Sequence, residues 1–318
     1  MFVVTSYTKN GFDIIALKDV EGNCFTEIIP ACGGILHSFN IWHNEAYLNV
    51  IDSYDSKPDF DENLTNKGFK GSKLSPFACR LKNASYQFGE SSYQIDKFLL
   101  KGHAMHGLIY DAPFSVSYQY ADEAHAGVAI EYKYRGTENG YPFFYDCVIT
   151  YHLKKNNELI ISTDIFNKDE CLLPVQDGWH PYFTFGRNIN DLLLEFQSSE
   201  QLVFDEEMIP TGNAIRYEAF GALKKIGETI FDDCFSLNFE ECQPLCVIRD
   251  TEKKLQIEIR PDKSYPYLQI YTPDHRQSIA IENLSAPPNA FNNGIELSIV
   301  PPKGNVIFTT TYKVSVIK

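Results

Sequence analysis

The chain lacks any run of the roughly 20 consecutive apolar residues that a membrane-spanning helix needs. Its N-terminus also lacks a basic segment followed by an apolar stretch, so we expect no signal peptide. These two absences lead us to expect a cytoplasmic protein without a membrane partner.

Positive charge is scarce. The chain has 28 Lys and Arg against 42 Asp and Glu, a formal net charge of −14. Such a surface repels nucleic acids and anionic membranes, so we expect neither as a partner. The same charge disfavours a heavily phosphorylated substrate, although a local basic pocket could override it. The sequence indicates no oligomeric state.

Paired cysteines are also missing, although the chain has eight cysteines. Cys242 and Cys246 lie closest together, but Pro244 stands between them and no second pair completes a zinc site. We therefore predict reduced, mostly buried thiols and no metal or other cofactor.

Sustained helical periodicity is hard to find, whereas apolar and polar residues alternate along much of the chain, as in residues 128–134. Residues 148–166 read as two strands joined by a polar turn. A second pair of strands flanks residues 261–266, and residues 306–316 form a closing strand rich in Thr and Val. With 23 Phe and 19 Tyr, the composition also favours strands.

The organisation along the chain predicts an all-β fold. No strand–helix–strand rhythm and no repeat of 20–50 residues is visible, so a sandwich or barrel is indicated. Residues 52–73 form the longest loop candidate, but they are too few to mark a domain boundary. We predict a single domain spanning residues 1–318.

Three segments carry residues suited to chemistry. In the first, residues 76–83, Arg80 ends an apolar run and offers a rigid fork of hydrogen-bond donors; a surface ion pair is the alternative. His103 and His106 follow, but without a third ligand nearby they make a poor metal site. One of them is better interpreted as a hydrogen-bonding site residue, because Gly107 permits close approach of backbone to a ligand.

The second segment, residues 177–183, reads Asp-Gly-Trp-His-Pro-Tyr-Phe. Aromatic faces such as those of Trp179 and Tyr182 can stack on the C–H faces of sugars. A histidine with a pKa near neutrality, here His180, can donate or accept a proton. The alternative is a core corner with a hydrogen-bonded histidine.

In the third segment, Glu282 ends an apolar strand, residues 279–281, and precedes a Pro-Pro loop. A carboxylate in this position is expected to be partly buried, which is unfavourable unless the group is paired or used. A glutamate at the end of an edge strand is the alternative.

In order and character these segments resemble the aldose 1-epimerase (galactose mutarotase) family over roughly residues 25–310. Trp179 stands where the well-characterised galactose mutarotases carry Asn, so the chain resembles a branch with a Gly-Trp-His-Pro-Tyr-Phe motif, and galactose or glucose need not be its substrate. The positions that match the family's motifs are Arg80 in residues 76–80, the His-Gly pair at 106–107, the His-x-Tyr-Phe motif at 180–183, Glu282, and Asp232, with Asp233 as the second choice.

The resemblance implies a large antiparallel β-sandwich (a supersandwich) with its site on a concave sheet face. It further implies an enzyme that interconverts the anomers of a free aldose without a cofactor. In that enzyme Glu282 would be the base and His180 the acid. The sugar would be held by Arg80, His106, Asp232, Trp179 and Tyr182.

Other functions stay open. A non-catalytic sugar-binding protein would not need the proton-transfer pair His180 and Glu282. A carbohydrate hydrolase or lyase is a further alternative, but a hydrolase wants two carboxylates and only one is convincing. A hexose-phosphate epimerase should show several basic residues near the site, and only Arg80 qualifies.

Overall fold

The computed structural model describes residues 1–317, and strands make up most of its regular structure. Within this part of the chain, no helix is both long and apolar enough to span a membrane. The helices are α1 (Lys57–Asn63) and α2 (Ala290–Asn293), with single 3-10 turns at Lys82–Ala84 and Ile189–Asp191. The strands are β1 (Phe2–Lys9), β2 (Phe12–Asp19), β3 (Cys24–Ile29), β4 (Ile35–His43), β5 (Ala46–Asn49), β6 (Ile51–Asp52), β7 (Ser72–Leu74), β8 (Arg80–Leu81), β9 (Ser85–Phe88), β10 (Ser91–Gln94), β11 (Leu99–Leu100), β12 (His103–Met105), β13 (Ser115–Ala121), β14 (His125–Arg135), β15 (Phe144–Lys154), β16 (Glu158–Asn167), β17 (Leu173–Val175), β18 (Gly178–His180), β19 (Tyr182–Phe183), β20 (Leu193–Phe196), β21 (Ser198–Phe204), β22 (Pro210–Arg216), β23 (Lys224–Lys225), β24 (Asp232–Leu237), β25 (Cys246–Asp250), β26 (Leu255–Pro261), β27 (Tyr267–Tyr271), β28 (Ile279–Leu284), β29 (Ser298–Val300) and β30 (Asn305–Val316).

Three large antiparallel sheets form the framework. The N-terminal sheet has the order β1-β2-β3-β4-β5. The outer sheet has nine strands in the order β13-β14-β15-β16-β30-β26-β25-β20-β23. The cavity sheet also has nine strands, in the order β22-β21-β24-β27-β28-β18-β7, with β19 and β6 completing it beside β28. The predicted all-β, antiparallel sandwich is confirmed.

The outer and cavity sheets pack face to face through aromatic side chains. Tyr312 of β30 and Phe183 of β19 have ring centroids 5.2 Å apart. The ring centroids of Tyr151 of β15 and Trp179 of β18 are 6.1 Å apart. One cluster of buried apolar residues includes side chains from both sheets and from the N-terminal sheet, so the large sheets share a core. A single domain over residues 1–318 stays a prediction, with which this shared core agrees.

The predicted hairpin at residues 148–166 is present. Strands β15 and β16 pair antiparallel, with Tyr151 opposite Ile161. Burial alternates along both strands, as expected where one face of a sheet packs on a core. Local alternation was therefore sufficient to place these two strands against each other.

The two strands predicted on either side of residues 261–266 are present as β26 and β27, but they do not pair with each other. Strand β26 pairs with β25 and β30, whereas β27 pairs with β24 and β28. The connection crosses from the outer to the cavity sheet and buries Tyr265, whose hydroxyl donates a hydrogen bond to Asp177 Oδ1 at 2.6 Å. Alternation locates strands but does not identify their partners.

The segment 52–73, predicted as a loop, contains helix α1. Ser56 caps this helix, because its hydroxyl accepts a hydrogen bond from the Asp59 backbone N–H at 3.2 Å. Pro58 lies in the first turn, where a missing N–H is tolerated. After the helix the chain returns to β7, and Thr65, Asn66, Gly68 and Phe69 line the cavity described below.

Candidate active site

A cavity of about 350 Å³ opens on the face of the cavity sheet that points away from the outer sheet. This volume lies at the lower end of the range of small-molecule sites, which suits a single sugar. Six residues that the sequence indicated line this cavity: Arg80, His106, His180, Tyr182, Asp232 and Glu282.

Trp179 does not line the cavity, which corrects the prediction that its ring contacts the sugar. Successive side chains of a strand point to opposite faces, so His180 and Trp179 cannot share one. The Trp179 ring is 2% exposed, lies 4.4 Å from Lys73 Nζ and packs toward the outer sheet. Trp179 is thus a core residue behind the site.

Glu282 lies on a central strand rather than an edge strand, because β28 is flanked by β27 and β18. Its neighbour Asn283 points the other way, where its side-chain oxygen accepts a hydrogen bond from Thr310 of β30 at 2.8 Å. The Glu282 side chain is only 2% exposed, facing the cavity. The edge-glutamate alternative is therefore wrong.

His180 and Glu282 form the centre of the cavity floor, which we define as Cys79, His106, His180 and Glu282. His180 Nε2 lies 3.3 Å from Glu282 Oε1. The His180 ring stacks on Tyr182 with 5.1 Å between centroids and meets the His106 ring edge-on, also at 5.1 Å. These contacts fix the imidazole orientation toward the carboxyl group.

Burial sets the protonation of this pair. It raises the pKa of Glu282 well above its ordinary value, and the nearby Asp232 carboxylate raises it further, whereas Arg80 opposes the shift. Burial also lowers the pKa of His180 to about 4 and the pKa of His106 well below its usual range. Both shifts therefore favour the uncharged form of the pair, with the proton on Glu282 and a neutral imidazole on His180. Moving that proton to His180 gives a carboxylate and an imidazolium without changing the net charge.

The segment carrying Arg80 joins the cavity floor through backbone contacts. Strand β8 pairs with β12, Arg80 lying opposite Met105. The His106 N–H donates a hydrogen bond to the Cys79 carbonyl at 3.0 Å. Arg80 is half-buried and lines the cavity. These contacts place the guanidinium, the thiol and the His106 imidazole on one side of the cavity.

Gly107 has a different role from the one predicted. At φ 80° its α-carbon lies so close to another backbone segment that an added Cβ would be 2.2 Å from the Ser75 carbonyl oxygen. The close approach is therefore between two backbone segments, and not between backbone and ligand. His103, the other histidine of this region, accepts a hydrogen bond from the Asn83 N–H at 3.0 Å and does not line the cavity.

Of the two neighbouring aspartates, Asp232 faces the cavity. Its Oδ1 accepts a hydrogen bond from Gln269 Nε2 at 3.0 Å, and burial raises its pKa. Asp233 instead accepts a hydrogen bond from Gln201 Nε2 at 2.7 Å and does not line the cavity. The structure therefore favours Asp232.

Sequence reasoning missed several lining residues. Gln269 and Tyr271 of β27 stand opposite Glu282 and Asp232 in the register of neighbouring strands. The polar–apolar alternation of residues 267–271 was a signal that could have found them. The other missed residues form an apolar wall of the cavity, and no sequence pattern indicates them, because they come from separate segments of the chain. They are Phe69, Phe98, Leu100, Met105, Phe204, Met208 and Pro288.

A metal-ligand set was also missed. One ligand atom each from Cys79, His106 and Glu282 all lie within 4.8 Å of one another. No local sequence pattern indicates this set, because Cys79 and Glu282 are 203 residues apart.

Comparison with known proteins agrees with this architecture. The aldose 1-epimerase family model matches residues 18–313. A curated relative, the uncharacterized protein YihR of Escherichia coli K12, is 26% identical over 238 residues, which is 72% of this chain and 74% of that protein. A galactose mutarotase-like protein from Clostridium acetobutylicum has a TM-score of 0.89 at 16% identity, covering 99% of both chains. The galactose 1-epimerase of Lactobacillus acidophilus NCFM has a TM-score of 0.82 at 19% identity, covering 100% of this chain and 99% of that one. At these identities the two structures demonstrate a shared fold.

Proposed function

The chain belongs to the aldose 1-epimerase family, and on that premise we propose that it interconverts the α and β anomers of a free aldose. The observation that carries the proposal is the buried His180–Glu282 pair, with 3.3 Å between Nε2 and Oε1. Opening a sugar ring requires one group that takes a proton from the C1 hydroxyl and one that gives a proton to the ring oxygen. The pair offers both groups on the floor of a sugar-sized cavity.

In the proposed reaction, Glu282 as carboxylate takes the proton of the C1 hydroxyl. His180 as imidazolium gives its Nε2 proton to the ring oxygen, the bond between that oxygen and C1 breaks, and the open-chain aldehyde forms. Rotation about C1–C2 presents the other face of the carbonyl, and the two groups exchange roles as the ring closes. No electrons are lost or gained, so this chemistry requires no redox cofactor.

The pair must carry its single proton on His180 when the reaction starts. In the sugar-free protein burial favours the proton on Glu282. A sugar hydroxyl that donates a hydrogen bond to Glu282 stabilises the carboxylate, as does the positive charge of Arg80. Substrate binding is thus expected to move the proton from Glu282 Oε1 to His180 Nε2, two atoms 3.3 Å apart, and so to assemble the reactive state.

The other cavity residues suit recognition of an uncharged sugar. Arg80 and His106 can donate hydrogen bonds to ring and hydroxyl oxygens, Asp232 can accept from a distal hydroxyl, and Tyr182 holds the His180 ring. Within residues 1–317, Arg80 is the sole Lys or Arg that lines the cavity. A single guanidinium favours a free aldose over a sugar phosphate.

The test is anomer exchange, followed by polarimetry or NMR, with freshly dissolved aldoses and a parallel set of sugar phosphates. We expect acceleration over the spontaneous rate for at least one free aldose. Acceleration of sugar phosphates alone would indicate a hexose-phosphate epimerase. Sugar binding without acceleration of any compound would indicate a non-catalytic binding protein.

A further inference from the structure

We propose that the cavity floor is also a Zn²⁺ site, in which Cys79, His106 and Glu282 bind the cation and exclude the sugar. The ligand atoms of these residues lie within 4.8 Å of one another, and all three residues line the open cavity. A cation can therefore reach them from solvent. The inference concerns binding and does not depend on the proposed catalytic activity.

The distance between the Cys79 and Glu282 ligand atoms fits a tetrahedral ion, and a ring nitrogen of His106 lies within 4.8 Å of both. Zinc–thiolate and zinc–carboxylate bonds of about 2.3 and 2.1 Å place sulfur and oxygen about 3.6 Å apart at a tetrahedral angle. Cys79 Sγ and Glu282 Oε2 are separated by 3.8 Å. An adjustment of a few tenths of an ångström by the side chains brings both onto one ion. A water molecule can fill the fourth position, as in zinc sites with three protein ligands.

The backbone holds the ligands in place before a cation arrives. The hydrogen bond from the His106 N–H to the Cys79 carbonyl, 3.0 Å long, joins the two segments. Glu282 is fixed on the central strand β28. His106 Nδ1 is buried and has no hydrogen-bond partner within residues 1–317, so a ring nitrogen remains uncommitted. A preformed site of this kind loses little conformational entropy when the ion binds.

The donor set selects the kind of cation. Thiolate and imidazole ligands suit Zn²⁺ and Co²⁺, whereas Mg²⁺ and Ca²⁺ prefer oxygen ligands. The Cys79 thiol and the Glu282 carboxyl group must each release a proton to solvent as their bonds to zinc form, so affinity should rise with pH. A bound ion also occupies the Glu282 carboxylate and the His106 imidazole. Zinc and sugar binding are therefore expected to be mutually exclusive.

The experiment titrates the folded, metal-free protein with Co²⁺ in the absence of sugar. Thiolate coordination should give a near-ultraviolet charge-transfer band that Zn²⁺ abolishes and Mg²⁺ does not. Cys79→Ser should lose this band and bind Zn²⁺ at least about tenfold more weakly, since even the loss of an outer-shell partner weakens binding that much. Cys234→Ser is the matched control, because Cys234 is a buried thiol of the same small apolar cluster but not of the ligand set.

Two results would overturn the proposal: no thiolate band in the folded wild-type protein, or equal Zn²⁺ affinity in the wild type and Cys79→Ser. Circular dichroism of each variant verifies the fold. Because no turnover is measured, a protein that binds zinc but exchanges no anomers would refute only the proposed function.

Discussion

Replacing Lys73 with methionine would remove one half of an ion pair that is buried behind the candidate site. Lys73 and Asp177 both have fully buried side chains, and the ammonium group contacts the carboxylate. Lys73 Nζ also donates to the Gly178 carbonyl at 3.2 Å. Asp177 directly precedes β18, the strand that carries His180, so the pair fixes the part of the chain that positions the proposed acid.

The expected loss of stability is large, because the substitution leaves the Asp177 carboxylate buried without its charged partner and with the Tyr265 hydroxyl as its remaining side-chain donor. Breaking a buried pair in this way costs about 3–5 kcal/mol. An unfolding entropy of about 2.1 cal/mol/K per residue over 318 residues converts this loss into a fall of roughly 4–8 °C in Tm. Burial already raises the pKa of Asp177, and without Lys73 the carboxyl group should hold its proton to still higher pH. When the pKa of a carboxyl group is higher in the folded than in the unfolded state, the free energy of unfolding falls as pH rises. The difference in stability between the wild type and Lys73→Met should therefore grow with pH.

Thermal unfolding of the wild type, Lys73→Met and the double variant Lys73→Met/Asp177→Asn at about pH 5 and about pH 8 measures both effects. The double variant should recover most of the loss, because it removes the unpaired charge and keeps an acceptor for the Tyr265 hydroxyl. Equal melting of Lys73→Met and the wild type at both pH values would refute the reasoning. So would a double variant as unstable as the single one.

Three further predictions concern the reaction. His180→Asn should lower kcat by about 10²-fold or more with a smaller change in KM, because the amide cannot cycle a proton; near-normal turnover would assign the acid to His106 or to another residue. In the free protein, kcat/KM should fall on the acid side near pH 4, where the buried His180 takes up a second proton for the pair. A fall in kcat/KM near the ordinary pKa of histidine, with the circular dichroism spectrum unchanged, would contradict this prediction. Activity should survive exhaustive chelation, and loss with EDTA followed by rescue with one divalent ion would show a required metal.

Much of the fold follows from short-range pattern. The hairpin β15–β16 and the closing strand β30 lie where alternation predicts them, because each needs only local pairing or one buried face. The cavity sheet is different. Strands β27 and β28 are consecutive, but β28 pairs with β18 and β18 pairs with β7, which come from distant parts of the chain, and no local pattern encodes those pairings.

In the candidate site, too, local features were predictable from the sequence and long-range contacts were not. The motif residues His180 and Glu282 were recognisable individually, whereas their 3.3 Å separation depends on the long-range pairing of the sheet. The position of Trp179 was within reach of sequence reasoning, because alternation from His180 sends its side chain to the opposite face. The proposed metal ligand Cys79 could not be predicted from the sequence, because its contact with Glu282 joins residues that are 203 positions apart.

The central claim is that Glu282 is the base, and Glu282→Gln tests it most directly. The amide keeps the shape and one carbonyl oxygen of Glu282 but cannot hold the proton in the ring-opening transition state. Glu258→Gln is the matched control, because Glu258 is another buried glutamate, on β26 of the outer sheet, where Arg260 binds it at 2.6 Å.

The measurement is the anomer-exchange rate per folded molecule, with Tm determined on the same preparation. For Glu282→Gln we predict a fall of roughly 10²–10⁴ in kcat with little change in KM. The control should keep its turnover whatever its Tm. A Glu282→Gln protein that melts early but exchanges anomers at the wild-type rate per folded molecule would contradict the account.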